Sequence, residues 1–135
     1  VTHVFTAADI ARRDQITVIE RVGVSLRAAL SRLQEHDRPV AVVHDRERRY
    51  QGMVSVESLS ERIDALGRRE EGAIEEAFVP GVEPVAADRP LTEIMTQVAE
   101  CPWPVPVVDE HGRYRGTISR ATLLHTLNRT EASAA

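Results

Sequence analysis

The chain has 135 residues, of which 42% are hydrophobic and 4% aromatic, so its core must consist mainly of Val, Leu, Ile and Ala. This length suits one compact domain, or two small halves with a shared core. The formal net charge of −4 argues against a dedicated nucleic-acid binder, because such domains usually carry an excess of basic residues.

The first half of the chain predicts a short helix followed by a strand, a helix, a hairpin and a helix. The N-terminal helix would begin at Thr6, three residues before Asp9. In order, the predicted elements are strand 16–22, helix 25–36 with Leu26, Leu30 and Leu33 on one face, hairpin 40–55 and helix 56–66.

The second half predicts the same order again. Residues 67–77 read as a charged linker with some helical character, and the low hydrophobicity of the last residues predicts fraying. In order, the elements are strand 82–86, helix 88–100 with Leu91, Met95 and Val98 on one face and Ile94 beside them, hairpin 104–119, and helix 120–128 with an apolar stripe of Leu123, Leu124 and Leu127.

The two halves are an internal repeat. With a shift of 64 residues, "VAVVHDRERRYQGMVS" lies on "PVPVVDEHGRYRGTIS", and Asp45, Gly52 and Ser55 fall on identical residues. The long helices align better with a shift of 65, which places Leu26 on Leu91. One copy is too small to bury its own sheet and helix faces, so we expect two copies to share a core across a pseudo-two-fold axis.

This repeat resembles the cystathionine-β-synthase (CBS) domain, and two in tandem resemble a CBS pair, also called a Bateman module. The resemblance implies an α/β (α+β) fold of two strand-helix-strand-strand-helix units. It divides the chain into an N-terminal linker or helix 1–14, CBS domain 1 at 15–66, a linker 67–78, CBS domain 2 at 79–129 and a disordered tail 130–135.

A narrower resemblance rests on "VFTAADIARR" together with "PVPVVDEHGRYRGTISRATLLHTL". Both are similar to the C-terminal regulatory region of the ATP-binding subunit of glycine betaine/proline ABC importers, in which an ATPase domain precedes the CBS pair. The chain has no G-x-x-x-x-G-K-[ST] phosphate loop and begins with Val1 rather than Met. We therefore expect a piece of a longer ATPase that lacks the catalytic half and is not itself an enzyme.

The resemblance also implies adenosine-ligand sites, with AMP, ATP and cyclic di-AMP as candidates. The family marker is a glycine, a hydroxyl residue three positions on and an acid three positions further. Here Gly52 and Gly116 are followed by hydroxyl residues, but the acid positions hold Ser58 and Thr122. The residues implied for the ligand are Val18, Ala41, Ser55, Ser58, Val85, Pro106, Ser119 and Thr122. Ser55 and Ser119 could instead be simple helix N-caps.

Other reactive residues show no catalytic or metal-binding pattern. Five histidines, His3, His36, His44, His111 and His125, lack metal-ligand spacing, and no nucleophile-base-acid set is visible. The single Cys101 excludes an internal disulfide, fits a reducing cytoplasm, and beside Trp103 suggests a buried corner. All 17 basic residues are arginine, and the groups Arg12–Arg13, Arg46/Arg48/Arg49 and Arg68–Arg69 could be solvated surface or a patch that meets anionic lipid or a neighbouring subunit.

The resemblance implies a cytoplasmic homodimer at the inner face of the membrane, with the transporter's ATPase domain and membrane subunits as partners. Its function would be to regulate the importer in response to ionic strength or a bound nucleotide. The alternative is a passive dimerisation module without a ligand, and a small stand-alone enzyme is the third hypothesis.

Overall fold

The computed structural model describes residues 6–12, 16–20, 24–66 and 72–134, with side chains described as far as Asn128. It divides into a contiguous unit, Asp14–Val82, and a discontinuous unit in which Val1–Arg13 joins Glu83–Ala135. The N-terminal segment thus belongs to the unit formed by the second repeat, although it precedes the first repeat in sequence. The five-part domain division drawn from the sequence stays a prediction.

The contiguous unit is a three-stranded sheet of order β1-β2-β3 with three helical segments. Its elements are β1 Thr17–Glu20, α2 Leu26–Glu35, β2 Val40–His44, β3 Tyr50–Ser55, α3 Val56–Leu66 and a 3₁₀ helix Ile74–Ala77. Strands β1 and β2 are parallel, a pairing that needs a crossover connection such as α2, whereas β2 and β3 are antiparallel. The predicted strand 16–22 continues beyond Glu20 into residues 21–22, which lie outside the described residues.

The discontinuous unit repeats this arrangement with the order β4-β5-β6. Its elements are α1 Ala7–Ile10, β4 Val85–Ala86, α4 Leu91–Glu100, β5 Val105–Val108, β6 Tyr114–Ile118 and α5 Arg120–Ala134. The predicted mixed α/β fold with two small sheets is therefore confirmed. Helix α5 continues past residue 128 into the predicted tail, where Ala132 and Ala134 have the highest intrinsic helix propensity of any residue type.

The residues that three of the helices bury differ in part from those that the sequence predicted. In α2, Ala29 is buried with Leu26 and Leu33, and Leu30 lies only half-buried at the flank. In α4, Ile94 takes the place expected for Met95. Leu124 was predicted in the apolar stripe of α5, but 60% of it is exposed. It follows the buried Leu123 directly, and one residue along a helix is a rotation of about 100°.

Both hairpin turns are built on an aspartate that accepts two backbone N–H groups. The Oδ1 atom of Asp45 accepts from Glu47 and Arg49, each at 2.9 Å, and that of Asp109 accepts from His111 at 2.8 Å and Arg113 at 2.9 Å. The bond from Arg113 contributes most to holding the pKa of Asp109 below its ordinary value. For Asp45, partial burial acts to raise the pKa, but the Arg49 N–H and guanidinium outweigh it and the pKa is lowered.

Each sheet carries an additional segment along its outer strand, which we name lead-in 1 (residues 6–12) and lead-in 2 (residues 73–79). In lead-in 1 the Arg12 N–H donates to the Thr117 carbonyl at 2.8 Å, and in lead-in 2 the Val79 N–H donates to the Met53 carbonyl at 2.8 Å. Helix α1 and the 3₁₀ helix occupy corresponding places, 67 residues apart. The lead-ins are therefore part of the repeat, and each completes the sheet of the other repeat.

The shift between the two copies falls by one residue at each successive connection. It is 67 for the lead-ins, 66 for Ile19 and Val85, 65 for the starts of α2 and α4, and 64 for the hairpins. The hairpin value follows from the pairs Val43–Gly52 and Val107–Gly116, which occupy corresponding positions. Only the shifts of 64 and 65 are visible in the sequence, because the elements that carry the others are four residues or shorter.

Candidate functional site

The start of α3 holds the first of the two candidate ligand positions, Ser55 and Ser58. Ser55 is 2% exposed and ends β3. Its Oγ accepts the Ser58 N–H at 2.9 Å, and its own N–H donates to the Ser58 Oγ at 2.8 Å. The Ser58 hydroxyl also donates to the Ser55 carbonyl at 3.1 Å. This is a reciprocal capping box, in which both hydroxyls are engaged within the helix start.

The start of α5 holds the corresponding pair, Ser119 and Thr122. The Thr122 N–H donates to the Ser119 Oγ at 3.1 Å, and the two hydroxyl oxygens lie 3.0 Å apart. Thr126 extends this row one turn further, since its hydroxyl donates to the Thr122 carbonyl at 2.9 Å. Thr122 and Thr126 are 6% and 8% exposed, so the start of α5 is lined by buried neutral hydroxyls.

These contacts give a structural reason for the hydroxyl residues at the two acid positions. An acid at this third helical position commonly accepts the N–H of the N-cap residue, and Ser58 makes that bond with its hydroxyl. A hydroxyl supplies one donor and no charge, whereas a carboxylate accepts two strong bonds from a sugar diol. The helix starts therefore offer neutral and already bonded groups to a ligand.

The four strand residues implied for the ligand do not form corresponding pairs. Register places Ile19, rather than Val18, at the position that Val85 occupies in the other sheet. Val42 lies opposite Met53, at the position that Pro106, opposite Thr117, occupies in the other sheet. Ala41 therefore does not correspond to Pro106. Since neighbouring strand residues face opposite sides of a sheet, Val18 and Val85 point to non-equivalent faces. The role of these residues stays a prediction.

The central arginine group is interleaved with acids. The Arg49 Nε lies 3.0 Å from Asp45 Oδ2, and its Nη2 lies 3.3 Å from Glu47 Oε2. Arg46 and Arg48 are exposed, so this turn presents two arginines beside a cluster of one arginine and two acids rather than a uniform basic patch. Arg12 is exposed, while Arg13 and Arg68–Arg69 lie outside the described residues.

Sequence reasoning missed the aromatic side chain that contacts the first marker glycine. A Cβ added at Gly52 would lie 2.5 Å from Cδ2 of Phe78, because lead-in 2 places that half-buried ring on the glycine. At Gly116 an added Cβ would lie 3.0 Å from the Cβ of Ala11 and 3.3 Å from the Arg12 backbone. Both marker glycines thus permit a lead-in to approach closely, and alignment at a shift of 67 would have paired Ala11 with Phe78.

Cys101 and Trp103 are half-buried rather than buried, and Cys101 is a free thiol. Over the ranges that the structure describes, no three His, Cys, Asp or Glu side chains come together as a metal site. No helix among those same residues has the length and apolarity needed to cross a bilayer.

Residues 75–129 match the family model of the CBS domain. The chain superposes on solved CBS pairs, including CBSX2 of Arabidopsis thaliana in complex with AMP, with a TM-score of 0.75 at 20% identity over 94% of this chain and 98% of that one. The chain has the fold of a CBS domain pair, and its second repeat belongs to the CBS domain family. A second such structure, CbpB in complex with c-di-AMP, gives a TM-score of 0.75 at 19% identity and covers 96% of this chain and 84% of that one.

Two curated relatives of the chain are ATP-binding proteins of a transport system. The chain is 37% identical over 130 residues to the glycine betaine/proline betaine transport system ATP-binding protein ProV of Salmonella typhimurium, and to its Escherichia coli counterpart. The match covers 96% of this chain and 31% of each relative, so the chain spans about a third of their length. A CBS pair is a regulatory module rather than a catalytic domain, and the predicted resemblance to these ATP-binding subunits is confirmed.

Proposed function

We propose that this CBS pair is the regulatory module of the ATP-binding subunit of a glycine betaine/proline betaine importer. The identity of 37% over 96% of the chain supports this assignment most strongly. The proposal places the module in the cytoplasm at the inner face of the membrane, as a homodimer beside the ATPase domain and membrane subunits. Its input would be ionic strength or an adenine nucleotide, acting on how the modules pack.

Different observations favour the two inputs. Solved neighbours of this fold hold AMP or c-di-AMP, which favours a nucleotide such as AMP, ATP or cyclic di-AMP. The engaged hydroxyls of Ser58 and Thr122 leave no carboxylate for a ribose, which favours ionic strength. The chain carries 17 basic and 21 acidic residues, so its packing has charges on which salt can act.

Thermal unfolding against AMP, ATP and cyclic di-AMP, at low and high salt, separates these inputs. A nucleotide that binds only the folded state at ~100 times its dissociation constant adds ~2.7 kcal/mol. That corresponds to a rise of several degrees in the midpoint for a domain of this size. A rise with one nucleotide identifies a ligand sensor, and salt-dependent association without such a rise identifies an ionic-strength sensor.

A pair of acid-restoring variants sharpens the nucleotide test. Thr122→Asp and Ser58→Asp each place the family's carboxylate at the acid position and keep the serine three residues earlier, Ser119 or Ser55. If the missing acid is what prevents nucleotide binding, one of these variants gains a midpoint rise that the parent chain lacks. The absence of any nucleotide or salt effect on parent and variants would favour the alternative, a passive dimerisation module.

A further inference from the structure

Lead-in 1 is held on β6 by hydrogen bonds to Thr117. Thr117 is fully buried, and its carbonyl accepts the Arg12 N–H at 2.8 Å. The Thr117 N–H and hydroxyl both donate to the Arg12 carbonyl, at 3.0 Å and 3.2 Å. Three hydrogen bonds therefore join one residue of β6 to one residue of lead-in 1.

The same strand leads directly into the start of α5. Ser119, which caps that helix, lies two residues after Thr117, and β6 ends between them at Ile118. The first backbone bond of the helix, from the Leu123 N–H to the Ser119 carbonyl, is 3.0 Å long. Ser119 thus connects the first turn of α5 to the end of the strand on which lead-in 1 is held.

The contiguous unit has the same arrangement. Met53 holds Val79 of lead-in 2, and Ser55, two residues after Met53, caps α3. Each candidate hydroxyl pair therefore lies two residues beyond the anchor of a lead-in.

The lead-ins are also where the chain passes from one unit to the other. After lead-in 1 the chain enters β1 of the contiguous unit, and after lead-in 2 it enters β4 of the discontinuous unit. Each lead-in therefore directly precedes, in chain order, the repeat that contains the other unit's sheet.

We propose that the capping state of α5 at Ser119 controls how firmly lead-in 1 is held on β6, and so couples the discontinuous unit to the chain on either side of the lead-in. The regulatory role of this coupling rests on the proposed function, because the coupling would carry the effect of a ligand or salt at the start of α5 to the rest of the chain. The coupling itself is a property of this chain and requires no ligand.

Amide hydrogen exchange of the full chain, followed by NMR, tests the coupling. Ser119→Ala removes the cap, and we expect exchange of the Arg12 N–H to become about five-fold faster, the factor that a typical lost N-cap implies. The matched control is Ser55→Ala, which removes the corresponding cap. It is expected to speed the Val79 N–H by a similar factor and to leave Arg12 unchanged.

Two results would overturn the proposal. One is faster exchange in the first turn of α5 with Arg12 unchanged, and the other is an equal change at Arg12 and Val79 in both variants. Thr117→Val, which removes only the hydroxyl bond to lead-in 1, tests the reverse direction and should speed the Leu123 N–H. Since no nucleotide or transporter is present, these outcomes are independent of the nucleotide and salt series.

Discussion

At the scale of single residues, the contact between Gly52 and Phe78 is a close steric constraint in the contiguous unit. A Cβ at Gly52 would overlap the ring, with three ring carbons at 2.5 to 2.7 Å. We expect Gly52→Ala to lower the free energy of unfolding by about 1–3 kcal/mol, as overpacking does. In a Phe78→Ala background the same change should cost at least about 0.5 kcal/mol less. Urea unfolding of the four proteins measures this cycle, and an equal cost in both backgrounds would contradict the contact.

A second prediction at this scale concerns the two hairpin turns. Arg48 and Gly112 occupy corresponding positions and both have positive φ, 68° and 78°. This conformation costs an L-residue with a side chain about 1–2 kcal/mol. Arg48→Gly should therefore raise the free energy of unfolding, by about 0.5–1 kcal/mol after the added chain entropy of glycine, and Gly112→Arg should lower it. The measurement is urea unfolding of each variant, and changes of the same sign in both would refute the shared turn geometry.

At the scale of elements, the sequence predicted what periodicity and turn chemistry determine. The hairpins and long helices were found because Asp45, Asp109 and the apolar stripes mark them. The start of α1 was predicted from Thr6 and Asp9, and the Thr6 N–H donates to Asp9 Oδ2 at 2.9 Å. The attachment of the lead-ins to the sheets was not predicted, because α1 and the 3₁₀ helix have four residues each and bury only two apolar side chains each. Their partners lie more than 20 residues away in sequence, at Met53 and Thr117, so no local pattern reveals them.

The candidate site shows the same division between local and distant information. That Ser55 and Ser119 cap helices could be proposed from position alone, and the hydrogen bonds confirm it. The part that Ser58 and Thr122 play in these caps was not predicted, because the residues at the acid positions were considered only for the charge that they lack. The lead-in contacts at Gly52 and Gly116 depend on tertiary structure, although the glycines themselves stand out in the sequence.

The two lead-ins bury the same two residue types, Ala and Ile, at corresponding positions but in opposite order. Lead-in 1 buries Ala7 and Ile10, whereas lead-in 2 buries Ile74 and Ala77 at the corresponding positions. Each thus contributes one small and one large side chain, in opposite order. Because close-packed cores respond to single methylene groups, each sheet must be shaped to its own lead-in. The halves of the repeat are consequently similar in fold but not interchangeable in packing.

At the scale of the whole molecule, chain connectivity makes the two units unequal. The contiguous unit, Asp14–Val82, contains its own lead-in, whereas the discontinuous unit depends on residues that precede the first repeat. Deleting residues 1–12 removes the buried Ile10 and the β6 pairing, and burial of an Ile side chain alone contributes about 1.5–3 kcal/mol. We expect amides of β5 and β6 to exchange at least about ten-fold faster in this variant. Amides of β2 and β3 should keep their protection.

The matched control for that deletion is Ile74→Ala, which weakens lead-in 2 without shortening the chain. It should speed exchange in β2 and β3 and spare β5 and β6, the reverse of the deletion. If either variant loosens both sheets equally, the units unfold as one cooperative body and the lead-ins do not stabilise them separately. If each variant loosens only one sheet, each lead-in stabilises the sheet on which it is held, and not the repeat that follows it in sequence. The N-terminal segment is then an integral part of the second domain.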